Sequence, residues 1–187
     1  MLKAVPLQPV SDAEAIIAFW RAAGPDKWFS KDEAFDTDFR DRFLDRHLAA
    51  AARRLDSWAM TPDGALALII LLDQFPRNAF RDTAHMFATD GLARHFARRA
   101  LALGHDKVVA PELRGFFYLP FEHSEDLADQ DLSVELMRPL GREVETYAEI
   151  HRDIIARFGR FPHRNPALGR ETTAAEREFL AKGGFSG

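Results

Sequence analysis

Apolar residues recur along most of this chain at the three- and four-residue spacing of an amphipathic helix, and runs that alternate apolar and polar residues as a strand would are nearly absent. Ser11 and Glu14 form a capping box ahead of a helix whose apolar face is Ile16, Phe19, Trp20 and Ala23, and Gly24-Pro25 ends it. A second box, Ser30 with Glu33, opens one long or kinked helix carrying Phe35, Phe39, Phe43, Leu44, Leu48 and Leu55. Thr61 and Pro62 start a helix that is apolar on nearly every side from Ala65 to Leu72, which marks it as the central buried element. Phe75-Pro76 is expected to stop it, because proline has no amide hydrogen and pushes the preceding residue out of the helical region.

The pattern then predicts a short turn over Thr83 to Ala88 and a helix capped by Thr89 or Asp90, with Leu92, Phe96, Ala100 and Leu103 inward and Gly104 at its end. An aromatic helix follows between Pro111 and Pro120, then a helix capped by Ser124 that runs to about Met137. Another spans Arg142 to Phe158, with Val144, Tyr147, Ala148, His151, Ile154 or Ile155, and Phe158 on its stripe. Thr173 and Glu176 box the last helix, which ends at Gly183-Gly184. Eight or so helices with mostly short connections predict an all-α fold of antiparallel helical hairpins, in a bundle or a short solenoid. The 187 residues read as one domain, with residues 1–10 an N-terminal extension and 184–187 a tail.

Composition narrows the function. No cysteine means no disulfide, thiolate metal site or cysteine nucleophile. A net charge of -4 argues against a nucleic-acid partner. The run Ala65 to Leu72 is too short to cross a membrane, and the first ten residues do not read as a secretory signal, so the expected location is cytoplasmic.

Chemistry concentrates in three segments. Asp73-Gln74-Phe75-Pro76-Arg77-Asn78 sits at the expected end of the central helix, where an aspartate opposes the helix dipole and calls for a partner such as Arg77. Glu122 to Gln130 surrounds His123; Ser124, Glu125 and Asp126 suit a helix start, whereas Gln130 falls on the inward stripe and needs buried partners. The third couples His151, on the apolar face of its helix, to Arg157-Phe158-Gly159-Arg160-Phe161-Pro162-His163-Arg164-Asn165. Glu122 to Asp131 carries five carboxylates, and His151 to Arg170 carries five arginines with Asp153, so the two segments are natural electrostatic partners.

No metalloprotease helix, phosphate loop, dinucleotide-binding glycine pattern or nucleophile-elbow serine is present, and no metal site or cofactor is assigned. What remains is acid-base or anion-binding chemistry. His163 or His123 would transfer protons, Asp73 would orient a histidine, and Arg77 or Arg160 would hold an anion. Asn78, Gln130, His151 and Arg164 complete the ligand-binding candidates. A peptide- or protein-binding helical-repeat module, with the polar cluster purely structural, is the alternative.

Leu71-Leu72-Asp73-Gln74-Phe75-Pro76-Arg77-Asn78, Phe117-Tyr118-Leu119-Pro120 leading into His123-Ser124-Glu125-Asp126-Leu127, and Arg157 to Asn165 resemble the motifs of the bacterial family called domain of unknown function 924. The likeness runs from Phe19-Trp20 and Lys27-Trp28-Phe29 to Phe179-Leu180 and Phe185-Ser186. It implies a fold similar to tetratricopeptide-repeat proteins, helix pairs packed into a superhelix, and it implies no activity and no catalytic residues.

Overall fold

The computed structural model describes residues 11–185, and among them the chain is helical with no strand. The extension expected over residues 1–10, with Ser186 and Gly187 of the expected tail, lies outside the described residues. In chain order the α-helices are α1 Asp12–Ala23, α2 Pro25–Trp28, α3 Glu33–Ala51, α4 Pro62–Ile69, α5 Phe75–Ala79, α6 Asp90–Ala102, α7 Leu119–Glu122, α8 Leu127–Met137, α9 Arg142–Phe158 and α10 Ala174–Ala181. The tetratricopeptide-like arrangement rests on the family resemblance alone.

Helix α4 forms the centre. Thr61 caps it through the Gly64 amide, and every residue from Gly64 to Ile69 is buried. Helices α1 and α6 pack against it and α3 against its continuation through Ile70–Gln74 and α5, with Trp20, Phe39, Phe75, Phe96 and Phe117 fully enclosed. A smaller apolar cluster, Ile154, Ile155 and Phe161, is flanked by Phe158, Phe179 and Phe185 at the end of α9 and the C-terminal segment.

Several starts and stops differ from the sequence pattern. Asp32, not Ser30, caps α3 by accepting from Phe35, as a carboxylate gains both the hydrogen bond and the helix dipole. That helix ends before Leu55, where Arg53 takes a left-handed backbone. Pro120 lies in the first turn of α7, where its missing amide hydrogen costs nothing, so it opens a helix rather than closing one. Asp126 caps α8, and Ser124 instead donates to Asp129. On α9 the stripe holds at Ala148, His151, Ile154 and Ile155, while Val144 and Tyr147 face outward.

The largest difference is at Phe75-Pro76. The central helix does not stop there. It passes through a π-helical turn, Ile70–Gln74, in which the Phe75 amide reaches Ile70, and continues as α5 with Pro76 in its first turn. Widening the turn by one residue lets the chain pass the proline, which would otherwise clash with the preceding turn. The cost is a loss of backbone partners, which distant side chains supply. His47 Nδ1–H donates to the Leu71 carbonyl at 2.9 Å, and the Thr89 hydroxyl donates to the Leu72 carbonyl at 2.5 Å. Thr89 precedes α6 but makes no side-chain cap, because its hydroxyl is used here. Thr89→Val is therefore expected to lose about 1–3 kcal/mol of stability in urea unfolding, the cost of a buried carbonyl left without a donor. Thr83→Val, at an exposed position, should lose much less.

Candidate functional site

The π turn aims Asp73 inward at a place where five other segments meet. Asp73 is sealed from solvent, and each of its oxygens finds a donor. Gln74 Nε2 donates to Oδ2 at 2.7 Å, Arg77 Nη1 stands 3.2 Å from Oδ1, and His123 Nδ1 lies 2.9 and 3.0 Å from the two oxygens. An ionised carboxylate only accepts, so Nδ1 of His123 carries the proton and Nε2 holds the lone pair. Nε2 makes no hydrogen bond among the described residues, and the His123 side chain keeps 15% of its surface exposed. Asp73 and His123 thus form a carboxylate–imidazole dyad whose basic nitrogen faces outward.

Around the dyad lies a nearly balanced set of buried charges. Arg77 donates to the Asp73 carbonyl at 2.7 Å and forks onto Asp90 at 2.9 and 3.1 Å, which commits both of its terminal nitrogens. Arg164 is different. Its guanidinium is sandwiched between Phe87 and Phe161, 4.6 and 4.4 Å from their ring centres. Its nearest carboxylate, on Asp90, is 3.6 Å away, beyond hydrogen-bond reach, and its Nε is buried without a partner. Burial and the neighbouring charge of Arg77 pull the Arg164 pKa down to about 10. Beside it, Nδ1 of His163 is also buried without a partner.

The titrations separate into two groups. Burial raises the Asp73 pKa, but Arg77 and His123 outweigh it and hold the carboxylate below its usual range. Burial and the Arg77 charge lower the pKa of His123. Burial takes His151 to about 3 and, with the Arg164 charge, His163 to about 4. Glu122 moves the other way: burial, then the charge of Asp73, push it up to about 8. At neutral pH the centre therefore holds three uncharged imidazoles and a protonated carboxyl group. His151 Nδ1 donates to the Tyr147 carbonyl at 2.8 Å and stands 3.5 Å from Glu122. A protonated acid and a free imidazole nitrogen in one site are the two partners of general acid-base chemistry.

Of the residues singled out from sequence, Asp73, Arg77, His123, His151, His163 and Arg164 come together. Gln130 stands behind them, fully enclosed, where its amide donates to the carbonyls of Glu122 and Ser124 at 2.6 Å each and holds the turn that presents His123. Two do not join the centre. Asn78 donates to Asp36, which Arg81 also grips. Arg160 forks onto Glu176 at 2.6 and 2.9 Å and donates to the Glu171 carbonyl, tying the loop after α9 to α10. The acidic and basic segments do pair, through Glu125 with Arg170 and Asp131 with Arg152.

Asp90, Glu122, Phe87 and Phe161 also belong to the centre, and none of them is among the catalytic or ligand-binding candidates read from the sequence. Asp90 and Glu122 both sit at helix ends, where carboxylates have ordinary uses, and the rings read as core. Among the described residues no three His, Asp or Glu side chains are grouped to hold a metal ion. Two surface grooves lie elsewhere: one of about 580 Å³ between α8 and α9, lined by Asp131, Glu135, Arg138 and Glu149, and one of about 340 Å³ beside α3.

Comparison with known proteins adds a family. No curated protein matches the chain. The solved structure described as a protein of unknown function, ATU0120 from Agrobacterium tumefaciens, is similar at 58% identity, with 91% of this chain and 97% of that one covered and a TM-score of 0.89. The model of a bacterial protein family of unknown function matches residues 16–184, a span that contains every element of the polar centre. The chain belongs to that family, DUF924.

Proposed function

We propose that this protein binds a small organic anion against Arg164, beside the Asp73–His123 dyad, with His123 as the proton acceptor of the site. The observation that carries the reading is Arg164 itself, a buried guanidinium with stacked faces, no hydrogen-bonded carboxylate and an orphaned Nε. A buried charge left so lightly paired is costly, and a planar carboxylate on its fork would relieve that cost. With both terminal nitrogens of Arg77 committed to Asp73 and Asp90, Arg164 is the one lightly paired guanidinium of the centre, which favours a monoanionic carboxylate over a phosphate dianion. An anion there would also favour protonation of His123 and His163, whose pKa values Arg77 and Arg164 depress. Binding should then take up protons and tighten as pH falls from 7 toward 5.

The test is a thermal-shift titration with acetate, benzoate and inorganic phosphate, since a ligand held by the native state raises the melting temperature by mass action. Saturable stabilisation by the carboxylates, reduced about tenfold or more in affinity by Arg164→Lys and lost in Arg164→Gln, is the expected result. Arg164→Lys keeps the charge and loses the fork, so it serves where the glutamine variant folds poorly.

A second reading is an internal scaffold, favoured by the complete burial of Asp73 and by surface grooves that lie away from the centre. On that reading His123→Ala would lower stability and no anion would change it. A saturable anion response that His123→Ala alters excludes the scaffold.

A further inference from the structure

The C-terminal segment ends its helix in an unusual way. Gly183 takes a left-handed backbone (φ 77°), and its amide returns to the Leu180 carbonyl while that of Gly184 returns to Phe179. A Cβ on Gly184 would lie 2.6 Å from the Phe179 ring, so any larger residue would have to push that ring aside. The turn delivers Phe185 onto the polar centre. Its ring stands edge-on to His151 at 4.4 Å and to His163 at 5.6 Å between centroids. His151 and His163 in turn pack on Phe161, whose other partner is the Arg164 guanidinium. The Phe185 ring thus fills an aromatic niche that is linked to the lightly paired arginine through His163 and Phe161. Its hold on the niche is modest, because Phe185 remains partly exposed.

We infer that this niche is the subsite for the body of the ligand, and that the ligand is an aromatic carboxylate whose ring takes the place of Phe185 while its carboxylate meets Arg164. The inference rests on the anion reading above and narrows it to a substrate class. Two neutral imidazoles and a phenylalanine present apolar edges and faces that suit a flat ring. They offer little to a polyhydroxylated or highly charged body, whose groups would be buried without partners. Phe185 then acts as a resident competitor that covers the histidines until the ligand displaces it.

The experiment compares the full chain with Phe185→Ala and Phe185→Leu, using phenylacetate, 3-phenylpropionate, acetate and inorganic phosphate as probes. Removing the competing ring is expected to tighten the two aromatic carboxylates about tenfold while acetate and phosphate stay as they were, with leucine in between. In parallel, carbethoxylation of each histidine is followed by mass spectrometry, with exposed His95 and enclosed His47 as references. His151 and His163 should react several-fold faster in Phe185→Ala, and His47 should not change. Aromatic carboxylates that bind no better than acetate in every variant would overturn the ring subsite and leave the anion reading standing. Failure of every carboxylate to bind would overturn both. Unchanged carbethoxylation in Phe185→Ala would show that Phe185 covers nothing, and the inference would fall.

Discussion

Asp73→Ala is expected to lower folding stability by about 3–5 kcal/mol, the usual consequence of removing one member of a buried, hydrogen-bonded charge cluster. The carboxylate is fully enclosed and serves Arg77, His123 and Gln74 at once, so its loss strands three donors. Arg77 retains Asp90, which places the loss toward the lower end of that range. The sign with pH follows from the direction of the shift. The folded-state pKa of Asp73 is depressed, so its contribution is complete above the unfolded value of about 3.9 and disappears as pH falls through the folded value. Urea unfolding of the wild type and Asp73→Ala should therefore converge as pH falls below 4, while between pH 5 and 7 the difference also carries the shifts of Glu122 and His123, which lose the neighbouring charge. Asp73→Asn keeps the volume but presents an amide hydrogen to His123, and it should remove proton-linked ligand binding even where stability is partly retained.

Glu122→Gln is expected to do the reverse and stabilise the protein at and above neutral pH. A carboxyl group raised to about 8 is protonated in the folded chain and ionised in the unfolded one between about pH 4.3 and 8. The folded state then binds the extra proton, so stability falls as pH rises through this window and has lost this contribution once pH passes the folded value. His151 and His163, lowered to about 3 and about 4, act oppositely: the unfolded chain binds their protons first, and stability climbs with pH up to about 6.5. Together these groups place the stability maximum near pH 6.5, with a decline of up to about 1.4 kcal/mol per pH unit between 6.5 and 8. Glutamine is neutral and nearly the same shape. Melting temperatures measured from pH 5.5 to 8.5 should lose the alkaline decline in Glu122→Gln, while the acid limb set by the histidines remains. A decline that persists in Glu122→Gln would assign it to another group.

What could be read from the sequence was local. Ser11 with Glu14, Thr173 with Glu176, Thr61 with Pro62, and Gly159 past the end of α9 each satisfy backbone groups within a turn, so a few neighbouring letters suffice. Phe75-Pro76 could not be read this way. The carbonyls of that π turn are served by His47 and Thr89, 24 and 17 residues away from the groups they bond, and only the fold brings them there. The same limit applies to the site. His151 on an apolar stripe, His123 and His163 in polar segments and Asp73 beside an arginine drew attention to four side chains that the fold places near one another. Which buried arginine is left lightly paired was not legible, because it depends on contacts across distant segments: Asp90 occupies Arg77, Glu176 occupies Arg160, and Arg164 lies over two rings with Asp90 only at 3.6 Å. The raised pKa of Glu122 was not legible for a related reason, since it comes from burial and from Asp73, neither of which its own neighbours in sequence reveal.

The central claim is that an anion on Arg164 is felt at the Asp73–His123 dyad. Nitrogen-15 imidazole spectra recorded at pH 6.5 during a phenylacetate titration test it most directly, because they report which ring nitrogen of each histidine carries a proton. Saturable shifts of His123 Nε2 and of the His163 ring toward the protonated position are expected, with His47 and His95 unchanged and the response abolished in Arg164→Gln. Spectra that do not respond, or that respond equally in Arg164→Gln, would contradict it.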